Sequence, residues 1–505
     1  MMRSLFAGVA GLRTHQTRMD VIGNNIANVN TTAYKSQSMV FSDLMYQTTQ
    51  KASGANAQTG VGGTNARQIG LGSKTGAIKT AIASQGAAQS TNDPFDIMIS
   101  GDAFFVVSNG SENFFTRDGS FYIDGKGNLA MTSTGYNVMG WQPDPADPQN
   151  IKKGTVGPLR LMTGANMTYP PEATTKATVD GVIDKYDTDV NSDDGRVMNL
   201  EFFDNQGYKY TAKLSVHAID GDKGQFYVKL DNIIDAEGNS IMYDKDGKEI
   251  PGVTDKFTFG SGTDSIKAPQ DDGTGNMVPS DVMMKNPNFD SSKPADPATN
   301  PEKIPVTNAI VLQYVEGEGT FSYVGLEAGL DSGGETTKLN FGGLPIFPAN
   351  GIDIDFSATF NYNKNGVSTM SSYAGLENGE GEGRKVGALS GITVQKDGKI
   401  YASYDNGQRR LLGQIAVATF ANPSGLEKEG DNLYSATMNS GDFDGVGEDI
   451  TQNGGRMDSG MLEMSNVDLS QEFTEMITTQ RGFQANSRII TVSDTLLEEL
   501  TNLKR

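Results

Sequence analysis

The chain has no cysteine, one tryptophan (Trp141) and two histidines among 505 residues. The first absence excludes disulfides, thiolate zinc sites, iron–sulfur clusters and cysteine nucleophiles. Only His15 and His217 could act as imidazole bases or ligands. One falls on a terminal helical stripe and the other in an expected strand, so they do not suggest a joint site. Long apolar runs are missing too: no stretch approaches the roughly 18 residues of a membrane span. The run Leu5–Leu12 behind Arg3 is short, and Arg13, His15 and Arg18 follow it, so no cleaved signal peptide is expected. Basic residues are outnumbered, 41 against 62 acids, for a net charge of −21. That balance argues against nucleic acid and anionic membrane surfaces as partners.

The acids suggest no metal or catalytic site. Asp244-Lys245-Asp246-Gly247-Lys248-Glu249 and Asp442-Phe443-Asp444-Gly445 look like fragments of calcium loops. A full loop needs glycine at its sixth position and a bidentate acid at its twelfth; neither stretch has both, and Asp-Gly is also a common hairpin turn. No carboxylate spacing singles out a hydrolytic pair. The 61 glycines lie in turns and linkers rather than in a phosphate-cradling loop before a helix. No cofactor and no enzymatic activity are expected.

What is present sits at the two ends. Leu462, Leu469, Met476, Phe483, Ile490 and Leu497 recur at seven-residue intervals, with Phe473 and Leu500 widening the stripe. This spacing predicts a helix over Leu462–Leu503 that offers a seam to another helix. Ser465 or Asn466 is the expected N-cap, with Asp468 in the first turn. At the other end Leu5, Leu12, Met19 and Ile26 are also seven apart, with Gly8, His15, Ile22 and Val29 as a second row. Here Gly8 and His15 are expected to leave gaps. Segment 1–40 has net charge +3 and segment 460–505 net −3, so the ends match in period and oppose in charge. They read as partners, within one subunit or between subunits. Periodicity alone fits equally well two ordinary helices packed on a core.

The local motifs decide between these readings. Asn25-Ile26-Ala27-Asn28-Val29-Asn30-Thr31-Thr32-Ala33-Tyr34-Lys35 resembles the N-terminal signature of the bacterial flagellar rod and hook proteins. Leu462-Glu463-Met464-Ser465-Asn466-Val467-Asp468-Leu469, followed by Gln480–Asn486, resembles that family's C-terminal signature. The length and the large middle look more like the hook branch than the shorter rod proteins. Asn28, Asn30, Thr31, Tyr34, Lys35, Ser465, Asn466, Val467 and Asp468 are the signature positions. The resemblance implies a helical homopolymer with Leu5, Leu12, Met19, Ile22, Ile26 and Val29 on one side of its seam. It implies as partners the distal rod protein, the hook cap, the hook–filament junction proteins and the flagellar type III export apparatus. Phe41-Ser42-Asp43-Leu44-Met45 is similar to the family's export-gate motif; its bland reading is a helix tail or one packing turn.

The expected fold is multidomain: helical coiled-coil termini and all-β globular domains, each left and re-entered in nested order. Segments 1–45 and 460–505 make the terminal domain, and 46–92 with 438–459 are connecting segments. The first of these, poor in large apolar groups, is expected to be loose in isolation. Segments 93–148 and 371–437 make a first β-domain, rich in Phe104-Phe105-type strands and Asp-Gly or Asn-Gly turns. Segment 149–370 is an outer β-domain, with strands expected at Glu201–Tyr210, Ala212–Ile219, Gln225–Leu230, Ala309–Val315 and Phe356–Tyr362. A subdomain is possible at about 235–305, where 261–305 reads as loop. Three functions follow: a hook subunit, a straight distal-rod relative, or, from a different class, a secreted adhesin or hydrolase with coiled-coil ends.

Overall fold

The computed structural model describes residues 2–54, 60, 62–245, 248–271, 277–286, 289, 292, 295, 297, 301–329 and 333–503. The N-terminal helix spans Met2–Ala27. It stops where Asn28-Val29-Asn30-Thr31-Thr32 replaces good helix formers with asparagines and β-branched residues. Asn28 closes the end: its Nδ2 donates to Asn24 O at 2.9 Å and its Oδ1 accepts from Thr31 Oγ1 at 3.1 Å. Val29 therefore lies in a turn, outside the helix to which periodicity assigned it. The chain then enters strand Gln37–Asp43, which pairs antiparallel with Ser73–Thr80. Phe41 thus sits in a strand, not in a helix tail.

The C-terminal helix spans Leu469–Asn502 and begins seven residues later than the apolar period suggested. Asp468 is the N-cap, its Oδ1 accepting from Ser470 N at 2.8 Å and Gln471 N at 3.3 Å. Ser465 and Asn466 precede the cap. Leu462 belongs to strand Met461–Glu463, paired with Ala88–Ser90, because backbone pairing to that segment captures the residues before the helix.

The chain divides into two units. One comprises 1–167, 389–404 and 409–505; the other comprises 168–388 and 405–408. In the first, strand Phe104–Ser108 is buried along its whole length and pairs with Asn113–Thr116, Asn137–Trp141 and Val417–Ala418. Phe104 and Phe115 meet Phe420 edge-on at 5.9 and 4.7 Å. Segment 46–92 holds more structure than its composition suggests: Tyr46–Gln50 pairs with Arg67–Gly70, and Ser73–Thr80 lies along the N-terminal helix, where Thr14 Oγ1 donates to Ser73 O at 3.3 Å. Backbone pairing orders these strands with almost no buried side chains.

The second unit packs two five-stranded sheets around one core. One sheet is the antiparallel run Arg196–Phe203, Lys209–Asp220, Gln225–Ile234, Ala309–Tyr314 and Phe321–Gly325. The expected strand Glu201–Tyr210 is broken by a turn at 204–208, where Asp204 Oδ1 accepts from Gln206 N and Tyr208 N. In the other sheet Lys176–Ile183 pairs in parallel with Ile352–Asn361. Part of 261–305, expected as loop, forms strand pairs Lys267–Asp271 with Met277–Asp281 and Met283–Lys285 with Lys303–Pro305. Ile266, Ala268, Val282 and Val306 anchor it in a small second core. Gly273, Gly275, Pro287 and Pro294, and Asp246 and Gly247 of the acidic loop, lie outside the described residues.

Candidate assembly interface

The two terminal helices pack antiparallel. Gly8 faces Ile490 and Asn486, Gly11 faces Asn486, and His15 faces Gly482. A Cβ on Gly482 would stand 2.7 Å from the His15 ring, and one on Gly11 would stand 2.7 Å from Asn486 Nδ2. The positions expected to leave gaps are thus the points of closest approach: glycine opposite a larger side chain lets the two backbones come near. Farther along, Arg18 Nη2 pairs with Glu475 Oε2 at 3.0 Å. Asn25 Nδ2 donates to Glu472 Oε1 at 2.8 Å. Burial, then the neighbouring Arg18 charge, holds the His15 imidazole below its ordinary pKa. Burial raises the Glu472 carboxyl, with the Asn25 hydrogen bond opposing it.

Below the helix pair the two signature segments meet in a buried polar junction. Lys35 Nζ donates to Glu463 Oε1 at 2.6 Å and to Ser84 O at 2.7 Å. Arg117 Nη1 lies 3.7 Å from Glu463 Oε2. The side chains of all three are at most 1% exposed. Burial lowers the Lys35 and Arg117 pKa values, and the Glu463 carboxylate only partly restores them. Asn466 threads the segments together: its Oδ1 accepts from Ser36 N at 2.7 Å and its Nδ2 donates to Ala81 O at 3.0 Å. Tyr34 OH donates to Asn25 Oδ1 at 3.3 Å, and the Lys428 ammonium sits 4.9 Å above the Tyr34 ring. Asn432 Nδ2 donates to Thr32 O at 2.8 Å. The junction therefore joins both chain ends to the first unit's β-structure.

The remaining expected residues are spread around this frame. Ile22 is buried; Leu5, Leu12, Met19 and Ile26 are half-buried on the N-terminal helix. Met476, Phe483, Ile490 and Leu497 are half-buried on the C-terminal helix, whereas Leu469, Phe473 and Leu500 are exposed. Ser465 Oγ accepts from Val467 N at 3.3 Å, and Asn30 is exposed. Phe41 stands edge-on to His15, ring centres 5.4 Å apart, under the Arg18 guanidinium; Met45 is exposed. Sequence reasoning gave no role to Glu463, Arg117, Asn25, Lys428 or Asn432. Glu463 and Asn25 stood inside quoted motifs, but nothing local pairs a residue at 35 or 117 with one at 463.

Residues 5–35 match the family described as flagella basal body rod protein. Residues 98–182 match the flagellar hook protein FlgE/F/G D1 domain, and residues 458–503 the flagellar basal body rod FlgEFG protein C-terminal region. The flagellar hook protein FlgE of Treponema pallidum is 32% identical to this chain over the full length of both. The chain belongs to the flagellar hook protein family. The hook protein FlgE of Borreliella burgdorferi is also 32% identical, again over both full lengths. A rod protein, FlgG of Bacillus subtilis, covers the same span at 26%. The rod relative is thus more distant than these two hook proteins. Of the junction residues, Lys35 lies in the first matched segment, Arg117 in the second and Glu463 in the third.

Proposed function

We propose that this chain is the structural subunit of a flagellar hook, polymerising into a flexible curved tube that passes torque from rod to filament. The observation that carries the mechanism is the uncovered face of the C-terminal helix. Phe473, Ile477, Val492, Leu496 and Leu500 are each between 44% and 58% exposed. Completing their burial is worth on the order of 1 kcal/mol apiece, and a neighbouring copy can supply the cover. In this reading terminal helices of many copies form a cohesive inner coiled-coil layer. The β-domains, nested outward, make looser contacts that let the tube bend. The partners are further copies of the chain, the distal rod protein, the hook cap, the hook–filament junction proteins and the export apparatus. Enzymatic activity and membrane insertion have no part in it; among the described residues no helix is long and apolar enough to cross a membrane.

The test is electron microscopy and sedimentation of concentrated full-length protein beside the double variant Val492→Asp, Leu496→Asp. Curved tubes are expected from the wild type and none from the variant, with circular dichroism unchanged. Straight tubes would favour the rod reading, and equal polymerisation by the variant would remove this face from the assembly.

A further inference from the structure

The N-terminal helix meets its partner through Gly8, Gly11, His15 and Arg18. Its opposite side lines an open groove of about 830 Å³, walled on the other flank by Leu44–Met45 and Leu71–Thr75. Phe6, Val9 and Met45 are exposed there, at 60%, 49% and 77%. The charges around the groove are all basic: Arg3, Arg13 and Lys74 line it, and no acid does. The chain also carries a surface complementary to it. From Ile489 to Leu503 the C-terminal helix exposes Ile489, Val492, Leu496, Leu500 and Leu503 at helical spacing. Glu499 borders that stripe by helical spacing, Asp494 and Glu498 lie on the far side of the helix, and the span holds no basic residue. Lys504 and Arg505, beyond it, lie outside the described residues. Groove and stripe are both exposed in one chain, so neither covers the other.

We propose that this groove receives the last four turns of the C-terminal helix from a second copy, apolar stripe against apolar floor, with Glu499 at the edge of the stripe beside the basic rim. The idea rests on the assembly reading above and specifies one contact within it. It also gives a use to the segment between the helices and the β-domain: Leu44–Met45 and Leu71–Thr75 form one wall of a receptor for a neighbour.

Because the chain has no cysteine, single engineered thiols report contacts without background. Tagged full-length Val9→Cys protein is mixed with untagged Leu496→Cys protein, polymerised, and treated with a short bismaleimide. The expected result is a mixed dimer that dominates both homodimers, with no product when Phe473→Cys replaces Leu496→Cys. A dominant Val9→Cys homodimer would mean that the groove meets itself, and a Phe473→Cys product that it holds another stretch of helix. Either result, or polymers without any mixed product, overturns the proposal and leaves the hook reading standing. Wild-type protein that forms no polymer, even on added hook–basal-body seeds, overturns both. Thr17→Cys with Leu500→Cys serves as a second pair if either first variant loses its helical circular dichroism. In a separate arm, Arg13→Glu should raise the concentration needed for polymerisation roughly two- to fivefold, the scale of one exposed ion pair. Adding Glu499→Lys should restore it.

Discussion

Glu463 answers two cations where water is excluded. Desolvating three charged groups offsets much of their mutual attraction, so the triad selects one arrangement more than it adds net stability. Losing one member is a different matter. Glu463→Ala should cost about 3–5 kcal/mol in urea unfolding, because Lys35 and Arg117 stay buried without an anion. The pair Lys35→Met, Glu463→Leu should cost clearly less than Glu463→Ala alone; equal costs would show that packing, not charge, matters there. A second carboxylate sets a pH dependence. Burial alone would raise Asp449, but hydrogen bonds from Thr451, Lys153 and Gln414 outweigh it and bring its pKa down to about 2. A folded value below the ordinary 3.8 means stabilisation that is complete above the unfolded pKa and lost as pH falls through about 2. Asp449→Asn should therefore lose on the order of 2 kcal/mol at neutral pH and almost nothing near pH 2, read as the shift in urea midpoint. Neither residue is conspicuous in the sequence, since Glu463 meets Lys35 and Arg117, and Asp449 meets Lys153, from segments hundreds of positions away.

The seven-residue period located both helices, but it gave no weight to the small residues through which they come closest. Counting apolar side chains favoured the row Leu469, Met476, Phe483, Ile490, Leu497. In the structure Gly482, Asn486 and the buried Thr479 and Ser493 lie beside or in that contact. Small residues are weak hydrophobic signals but permit the nearest backbone approach, which a periodicity argument does not weigh. Gly482→Val should push the His15 ring aside and destabilise the pair by about 1–3 kcal/mol. Gly23→Ala is the control: a Cβ there meets nothing within 4 Å, and better helix propensity should stabilise by roughly 0.5–1 kcal/mol. Thermal midpoints followed at a helical wavelength decide both. The start of the C-terminal helix was misread for a related reason. Leu462 continues the helical period by number, but its backbone is taken by Ala88–Ser90, a partner that no local pattern announces.

At the scale of the molecule, strands were legible where apolar and turn residues alternate, as in Gln225–Ile234 and Ala309–Tyr314. Pairings between distant segments were not: Lys176–Ile183 lies parallel to Ile352–Asn361 with most of the second unit between them in sequence. That unit leaves and returns on adjacent strands, Thr168 opposite Ala388. Their Cα atoms are close enough for a two-residue glycine-containing turn to replace everything between them. Such a deletion should leave a folded first unit that still polymerises, with altered curvature or surface, as judged by circular dichroism and electron microscopy. An unfolded product, or loss of all polymer, would show that the second unit carries cohesion. The Lys35–Glu463 contact also joins residues 428 positions apart. A chain that ends anywhere before Glu463 holds its two cations without their counter-charge and cannot close the lock between its ends. The junction thus registers length: its charges are balanced only in a chain that reaches residue 463.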